Sequence, residues 1–439
     1  MAITTRQTSL LVQQDWKTLY QTFREADFQS YDFETLRKSM IDYIKTYYPE
    51  DFNDFIESSE YIALIDLIAF LGQSLAFRTD LNARENFIDT AERRDSILKL
   101  ARLISYNPKR NLASTGLLKI SSISTTESVV DANGLDVANL AINWNDSAND
   151  SWQEQFNAIL NAAFVSSQVV GKPGNTQVIN GIETEEYTVQ LTPGQTPVFR
   201  FTRTVNGAQM NFEAVNATTM EQSYIYEKTP SASANFNLLY RNDSLGNSSN
   251  NTGFFLYFKQ GVLNTQDFSI ADNLPNRVVN INFDNINNTD VWLYALDSFN
   301  KEQLLWKAVP SVSGINVIYN NIAEKNLYQV SSRTNDQIDL VFGDGAFTNV
   351  PQGNFRLYYR QSNGLNYKIT PDEMQNIIIP LTYTSRSGRA ETLTIRASLH
   401  YTVANASAKE TIDDIRTKAP QNYYTQNRMV TGEDYNLFP

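Results

Sequence analysis

The chain has 439 residues, of which 41% are hydrophobic and only 19% are charged, so it has enough apolar side chains to form folded domains. A formal net charge of -12 and a pI near 4.8 argue against nucleic-acid binding, which needs a basic face, and favour proteins as partners. The absence of cysteine excludes disulfides and thiolate metal sites.

The first residues lack the basic and apolar segments of a secretory signal. Hydrophobic periodicity then predicts helices near residues 10–25, 32–48, 56–81 and 91–105. Asn82 with Glu85 three residues later has the form of a helix amino-terminal cap. Pro108 after Tyr106 and Asn107 is expected to stop the last of these helices.

In the third predicted helix, apolar residues occupy almost every face from residue 61 to 77, whereas a surface helix shows one stripe. Asp66, Gln73 and Arg78 leave the run short of the roughly 20 apolar residues that cross a bilayer, so no membrane insertion is expected. Two alternatives remain open, burial under the same chain or burial in a helical bundle shared with other chains. The expected interface residues of the second alternative are Ile62, Ile65, Ile68, Leu71, Leu75, Phe77, Ile97 and Leu100.

From Thr115 the pattern changes to short strands separated by Asn, Gly, Pro, Ser and Asp, which predicts a β-rich body. Stretches 131–150 and 241–253 are rich in Asn, Ser and Asp and are expected to be exposed loops or edges of an inserted domain. The candidate strands cover residues 117–123, 187–191, 198–205, 212–215, 254–258, 278–283, 291–296, 315–319, 338–342 and 355–359.

Gly343, Asp344 and Gly345 lie between two strand-like segments. They lack the spaced acidic ligands of an EF-hand and the Lys-Ser/Thr pair of a phosphate-binding loop. Glycine permits positive φ and aspartate bonds its own backbone, so the motif predicts a tight turn.

Candidate catalytic residues are scarce. His400 is the single histidine, which rules out a histidine-pair metal site, and no Gly-x-Ser-x-Gly nucleophile motif is present. Glu185-Glu186 and Asp413-Asp414 are adjacent pairs that cannot face each other across a cleft, and they are expected to be solvated. We therefore expect no catalytic residue, no cofactor and no metal.

Near the carboxy terminus, Ser407 with Glu410 predicts a capped helix that runs to about Lys418, before Pro420. A second cap of the same form is predicted at Thr431 with Asp434. An apolar interface patch is expected on Ile412, Ile415, Tyr423 and Tyr424.

The segment FIESSEYIALIDLIAFLGQSLAFRTDLNARENFIDTAERRDSILKLARLISYNPK carries a resemblance, and residues 340–353 and 412–435 agree with it. It resembles the baseplate wedge core proteins of T-even-like contractile-tailed phages, which are related to the baseplate J family. That resemblance implies two copies per wedge, a helical bundle shared with other wedge proteins, and a ring around the hub that widens when the sheath contracts.

The same resemblance implies the partners and the location. The partners would be other copies of this chain in a dimer and a ring, other baseplate wedge proteins, and hub, tail-tube or sheath-initiating proteins. The location would be the tail baseplate of the virion, after assembly in the host cytoplasm. Because the resembling family continues beyond this signature, the carboxy-terminal module is expected to be truncated.

We therefore predict an α+β multidomain protein with an amino-terminal helical bundle segment at 1–112, a β-rich body at 113–330 and a carboxy-terminal α/β dimerisation module, baseplate J-like, at 331–439. The favoured function is a structural component of a baseplate wedge. The alternative is a tail protein that recognises host-surface glycans, which would explain the aromatic, Asn-rich middle but not the helices. An intracellular enzyme has no candidate site to support it.

Overall fold

The computed structural model describes residues 32–47, 60–126, 177–190, 196–219, 224–232, 235–246, 248–312, 324–384 and 388–425. The chain divides into two compact units, Met1–Leu103 and Ile104–Pro439, called the helical unit and the body below. Among the described residues, the helical unit contains helices, and the body contains sheets and a final helix. This confirms the predicted α+β multidomain class. The predicted helix at 10–25, the loop at 131–150, the strand at 315–319 and the cap at Thr431 lie outside the described residues.

The helical unit contains α1 (Phe33–Tyr47), α2 (Glu60–Arg84) and α3 (Arg94–Leu103). Asp32 caps α1, because its Oδ1 accepts a hydrogen bond from the Thr35 N–H at 2.7 Å. The predicted cap at Asn82 is wrong, since α2 continues through Asn82 to Arg84. Apolar residues past position 81 are few, so periodicity alone ended this helix too early.

Glu85 bonds the backbone just before the next helix instead of forming a cap with Asn82. Its Oε1 accepts hydrogen bonds from the N–H groups of Glu92 and Arg93, at 3.0 and 3.1 Å, immediately before α3 begins. A hydrogen bond from Ser96 and these backbone bonds lower the pKa of the Glu85 carboxyl.

The body contains eighteen described strands. In chain order they are β1 (Thr115–Thr125), β2 (Gln177–Ile179), β3 (Ile182–Gln190), β4 (Val198–Val205), β5 (Ala208–Val215), β6 (Ala217–Thr218), β7 (Tyr226–Glu227), β8 (Asn235–Asn242), β9 (Gly253–Gln260), β10 (Val262–Ile270), β11 (Val278–Ile281), β12 (Ile286–Leu296), β13 (Glu302–Ala308), β14 (Leu327–Ser332), β15 (Ile338–Phe342), β16 (Gly353–Gln361), β17 (Ile377–Thr384) and β18 (Ala390–Ser398).

The first sheet has the order β17-β18-β1-β9-β8-β3-β2, and β4 and β5 branch from it. Strand β9 pairs with β8 through residues 253–255 and with β5 through residues 257–260, so the sheet splits along β9 and curves into a half-barrel. Aliphatic and aromatic side chains fill its concave side, among them Leu118, Phe212, Phe254, Leu256, Phe258, Ile377 and Ile395.

The second sheet has the order β10-β16-β12-β13-β14-β15-β11, and its one parallel pair is β13 with β14. Alternate residues of β16 face its core, as the pleat of a strand requires: Phe355, Leu357 and Tyr359 are buried there. The remaining core includes Ile270, Ile281, Leu293, Trp306, Tyr328, Leu340 and Phe342. A minor two-stranded sheet joins β6 and β7.

The two sheets do not follow the predicted domain limits at residues 112 and 330. Residues from Ile104 onward belong to the body. Strands β15 and β16 complete the second sheet, whereas β17 and β18 return to pair beside β1 in the first. Pairing between strands far apart in sequence leaves no trace in local patterns, so this connectivity could not be predicted.

The last described helix, α4 (Ile412–Thr425), begins later than predicted. Thr411 and Asp414 form its capping box, with Asp414 N donating to Thr411 Oγ1 at 3.1 Å and Thr411 N donating to Asp414 Oδ2 at 2.9 Å. The predicted box at Ser407 and Glu410 is therefore wrong. The helix also continues through Pro420, because buried packing residues follow the helical period up to it.

Candidate assembly interface

One face of α2 is covered by α1. Ile62 and Ala69 are buried there, and a Cβ added to Gly72 would approach Leu36 Cδ1 to 3.3 Å. An ion pair joins the same two helices, with Arg37 Nε 2.6 Å from Asp66 Oδ1. The small residues Ala69 and Gly72 let α1 lie close against this face.

A different side of α2 is exposed although it is apolar. Five residues spaced alternately three and four apart form a heptad stripe, and each has between 51% and 64% of its surface exposed. We call this stripe the α2 seam; it consists of Tyr61, Leu64, Ile68, Leu71 and Leu75. Its spacing matches the positions that meet a partner helix in a coiled coil.

Three further apolar side chains of α2, Leu67, Phe70 and Phe77, are exposed beside the seam. Eight large apolar side chains on one helix form a patch rather than scattered exposure, and such patches mark interaction sites on proteins. The sequence could not separate these faces, because an all-apolar pattern has no polar side to orient it.

The predicted interface residues of the helical unit fall into three groups. Ile68, Leu71, Leu75 and Phe77 are exposed, whereas Ile65 and Leu100 are half-buried. Ile62 and Ile97 are buried within the unit, so the structure places them in its interior and not on an available surface.

The patch predicted on the last helix is divided in the same way. Ile415 is fully buried in the body, Ile412 is half-buried, and Tyr423 is 59% exposed. The side chain of Tyr424 lies outside the described ones. Ile412 and Ile415 were assigned to one outward face by their spacing, but spacing does not tell which face a helix turns inward.

The Gly343, Asp344 and Gly345 segment forms a turn after β15. Asp344 Oδ1 accepts a hydrogen bond from Ala346 N at 2.9 Å, and Gly345 has a φ of +88°. A Cβ on Gly343 would lie 1.6 Å from Thr348 Oγ1, so this glycine is required by close packing. The turn shapes the end of the second sheet, and the Asp344 carboxylate forms its bond within the turn itself.

A cluster of charged residues, which the sequence patterns did not predict, is buried where the two sheets meet. Arg360 of β16 is fully buried, and its Nη2 lies 2.9 Å from Glu227 Oε1 and 3.2 Å from Glu213 Oε2. Lys259 of β9 lies 3.0 Å from Glu227 Oε2 and 2.6 Å from Asp290 Oδ1. We call these five residues the charge network; it bonds β5, β7 and β9 to β12 and β16.

The charges of this network set one another's protonation. Burial disfavours the charged Lys259, but Asp290 and Glu227 outweigh burial and raise its pKa. Burial likewise disfavours the Asp290 carboxylate, yet Lys259 and Arg360 lower its pKa overall. For Glu227, burial exceeds the attraction of the two cations and raises the pKa. Each member is paired within the network, so the network serves to bond strands of the two sheets to one another.

The adjacent carboxylates Glu185 and Glu186 were expected to be solvated, and that expectation is wrong. Both are buried. Glu186 Oε1 accepts hydrogen bonds from Thr218 Oγ1 at 2.9 Å and Thr219 Oγ1 at 3.0 Å, and its Oε2 accepts one from Asn237 Nδ2 at 3.0 Å. Donors from distant strands satisfy this charge, which local sequence does not reveal.

His400 lies just after the end of β18 at Ser398 and is exposed. Across the residues that the structure describes, no three His, Asp or Glu side chains converge as ligands for a metal ion. Also within that part of the chain, α2 alone is long and apolar enough to cross a membrane.

The helical unit can be compared with known proteins. Residues 32–103 match the family model described as bacteriophage baseplate protein, N-terminal domain, and the match ends where the helical unit ends. The chain is thus a structural protein of the phage tail baseplate and a component of the virion.

The body matches a second family model. It covers residues 116–402, from β1 to beyond β18, and more than half of the chain. The protein belongs to this family, described as Domain of unknown function (DUF8360). Comparison with curated proteins gives no match.

Proposed function

We propose that this baseplate protein is a wedge component whose α2 seam docks against helices of other baseplate chains. The observation that carries the proposal is the exposure of five heptad-spaced apolar residues on a helix whose other face α1 already covers. Covering the exposed half of each seam side chain would stabilise association by on the order of 1 kcal/mol per residue. The partners would be other wedge proteins and a second copy of this chain.

Protein fits this surface better than lipid does. Asp66 lies in the second turn of α2 and pairs with Arg37, so a bilayer around α2 would also enclose this ion pair and the polar helix α1. Charged groups are costly in hydrocarbon. We therefore propose helix-to-helix docking without membrane insertion, despite the hydropathy of α2.

The proposed test substitutes one seam residue by a charged one. Leu71→Asp should leave the chain folded, because Leu71 is more than half exposed. It should nevertheless block entry into tails when supplied to phage that lack this protein, since a charge on the seam cannot be buried in a bundle. Ala83→Asp is the matched control, because Ala83 is exposed in the last turn of α2, beyond the seam and the other exposed apolar residues of that helix.

Negative-stain images and tail composition measure incorporation, and circular dichroism checks folding. Tails that contain the folded Leu71→Asp protein at the control level would refute the docking proposal. A flotation experiment with phospholipid vesicles separates the lipid alternative: the wild-type chain is expected to stay at the bottom of the gradient.

We further propose that α4 contributes to the joining of wedges into a ring around the hub. Tyr423 is its exposed aromatic residue, and exposed aromatic side chains are common anchors of interfaces. Tyr423→Asp should permit single wedges but prevent ring closure, whereas Thr417→Asp, another exposed position of α4, should not. Closed baseplates of normal diameter from the Tyr423 variant would contradict this role.

Finally, we propose that the protein acts through contacts and not by catalysing a reaction. His400 is exposed and the buried carboxylates Glu186 and Asp290 are bonded to neighbouring groups. His400→Ala virions that assemble normally should infect normally. Loss of infection from such virions would count against a structural role.

A further inference from the structure

The chain enters the body through a short segment that the second sheet holds firmly. We call residues 106–111 the strap. Asn107 Nδ2 donates to Val330 O at 2.7 Å, and its Oδ1 accepts from Ser332 N at 3.1 Å. Ser332 Oγ donates to Pro108 O at 2.7 Å. The start of the strap is therefore bonded along β14.

The end of the strap is bonded even more deeply. Arg110 is 2% exposed, and it donates to Ser332 Oγ and Asn288 O, each at 3.0 Å. Asn111 is fully buried and donates to Asp336 Oδ2 at 3.0 Å, while Asn288 N donates to its carbonyl at 2.9 Å. Burial lowers the pKa of Arg110 to about 10, so it stays charged at neutral pH.

The strap also reaches the segment that leads into α4, through one carboxylate. Glu410 is buried, and it accepts hydrogen bonds from Tyr106 OH at 2.9 Å and from Lys109 N at 3.0 Å. Lys418, within α4, donates to the same carboxylate at 3.0 Å. Glu410 is thus a bond between the strap on one side and α4 on the other.

These two attachments differ in strength. The strap contacts the second sheet through several buried groups on β12, β14 and the turn that follows β14. It contacts the segment before α4 through the Glu410 carboxylate and through the Glu410 N–H, which donates to Lys109 O at 3.1 Å. Helix α4 itself bonds that carboxylate through Lys418, whose side chain is 46% exposed. Of the described residues of α4, only Ile415 and Ala419 are fully buried. Elements with few buried contacts open locally at lower free energy than a sheet does.

We propose that Glu410 is a releasable clasp, so that α4 can detach from the strap as a unit while the strap stays bonded to the second sheet. Release of the clasp exposes Ile415 and Ala419, which the closed position covers. Glu410 is then a positioning residue that controls when the inner face of α4 becomes available.

Hydrogen exchange on the full-length chain tests the clasp. Glu410→Gln keeps the shape of the side chain but removes its charge, which weakens the bonds from Tyr106 and Lys418. We expect exchange of the α4 amides at residues 415–419 to accelerate roughly tenfold or more, with the amides of Arg110 in the strap and of β14 unchanged. Tyr106→Phe should accelerate α4 in the same direction by a smaller factor.

Asp413→Asn is the matched control, because Asp413 is an exposed residue of α4 whose carboxylate accepts a hydrogen bond from Arg416 Nη1, on the same helix, at 2.9 Å. It should leave exchange of residues 415–419 close to wild type. Unchanged α4 exchange in Glu410→Gln would overturn the proposal. Equal acceleration of the strap and α4 would overturn it too, since the two would then open as one piece.

Discussion

The helical unit and the body place their apolar and charged side chains in opposite ways. Helix α2 exposes eight large apolar residues, whereas the body buries the charged Arg360 and Lys259 among three carboxylates. The body satisfies each of these charges by a bond that it makes itself. The helical unit leaves apolar surface exposed among its described residues, and such surface marks interaction sites. The body is therefore stabilised from within, whereas the docking proposal has the helical unit completed by assembly.

The largest loss of stability is expected when the centre of the charge network is removed. Arg360→Met keeps most of the side-chain volume but removes the shared cation, which leaves Glu227 with Lys259 and Glu213 with only the exposed Arg200 as cationic partners among the described residues. Breaking a buried ion pair from one side costs about 3–5 kcal/mol, so we expect the body to lose that much stability. Urea unfolding followed by tryptophan fluorescence measures it.

Arg356→Met supplies the control on the same strand. Arg356 pairs with Asp267 at 2.8 Å, but that pair is solvent-exposed and is expected to contribute about 1 kcal/mol or less. Equal losses for the two variants would show that burial of the network adds nothing to its effect.

A smaller loss is expected at Glu186. Glu186→Gln removes the charge and replaces the oxygen that accepts from Asn237 Nδ2 by an amide nitrogen, so that two donors face each other. An unsatisfied buried group costs about 1–3 kcal/mol, and the first sheet should lose stability in that range. Glu183→Gln is the control, because Glu183 lies on the same strand and is exposed. No difference between the two in urea unfolding would mean that Glu186 behaves as a solvated residue.

Local patterns in the sequence located much of the fold. Helices α1, α2 and α3 and strands such as β4 and β15 lie within a few residues of their predicted positions, because period and turn residues are local signals. The seam was only half predicted: Ile68, Leu71 and Leu75 were named, but Tyr61 and Leu64 were not separated from the buried Ile62. A heptad count along residues 61–75 was the signal that distinguishes them.

The charge network, the strap and the buried Glu186 could not be predicted in this way. Each depends on strands that are far apart in sequence but close in the fold, as β9 and β16 are where Lys259 and Arg360 both pair with Glu227. The sequence does contain a partial signal for the charge network, because Lys259 directly follows the fully apolar run 254–258 of a buried strand. A charge inside such a run must find a partner, but the sequence does not say which one.

An exposed carboxylate should matter less than these buried ones, and Asp414 allows the comparison by pH. Hydrogen bonds from the Thr411 side chain and backbone lower the pKa of Asp414 in the folded chain. Its contribution to α4 is therefore complete above the unfolded pKa of about 4 and is lost as the pH falls through the lower folded value. Exchange of α4 amides, corrected for intrinsic rates, should accelerate modestly between pH 5 and about pH 3.

Asp414→Asn should abolish that pH-dependent part, and Asp413→Asn should retain it. If both variants keep the wild-type pH response, the capping carboxylate is not its source.

The smallest effect is expected from a polar substitution on the seam. Leu71→Gln should change the stability of the helical unit within the full-length chain by no more than about 0.5 kcal/mol, because an exposed side chain loses little on becoming polar. Leu98→Gln replaces the same residue type at a site that is 2% exposed, and burying an amide there should cost several kcal/mol. Hydrogen exchange of α2 and α3 amides in the full-length chain gives both values. A loss at Leu71 as large as the loss at Leu98 would mean that the seam is covered by the same chain, and the distinction between a self-sufficient body and a helical unit completed by partners would fail.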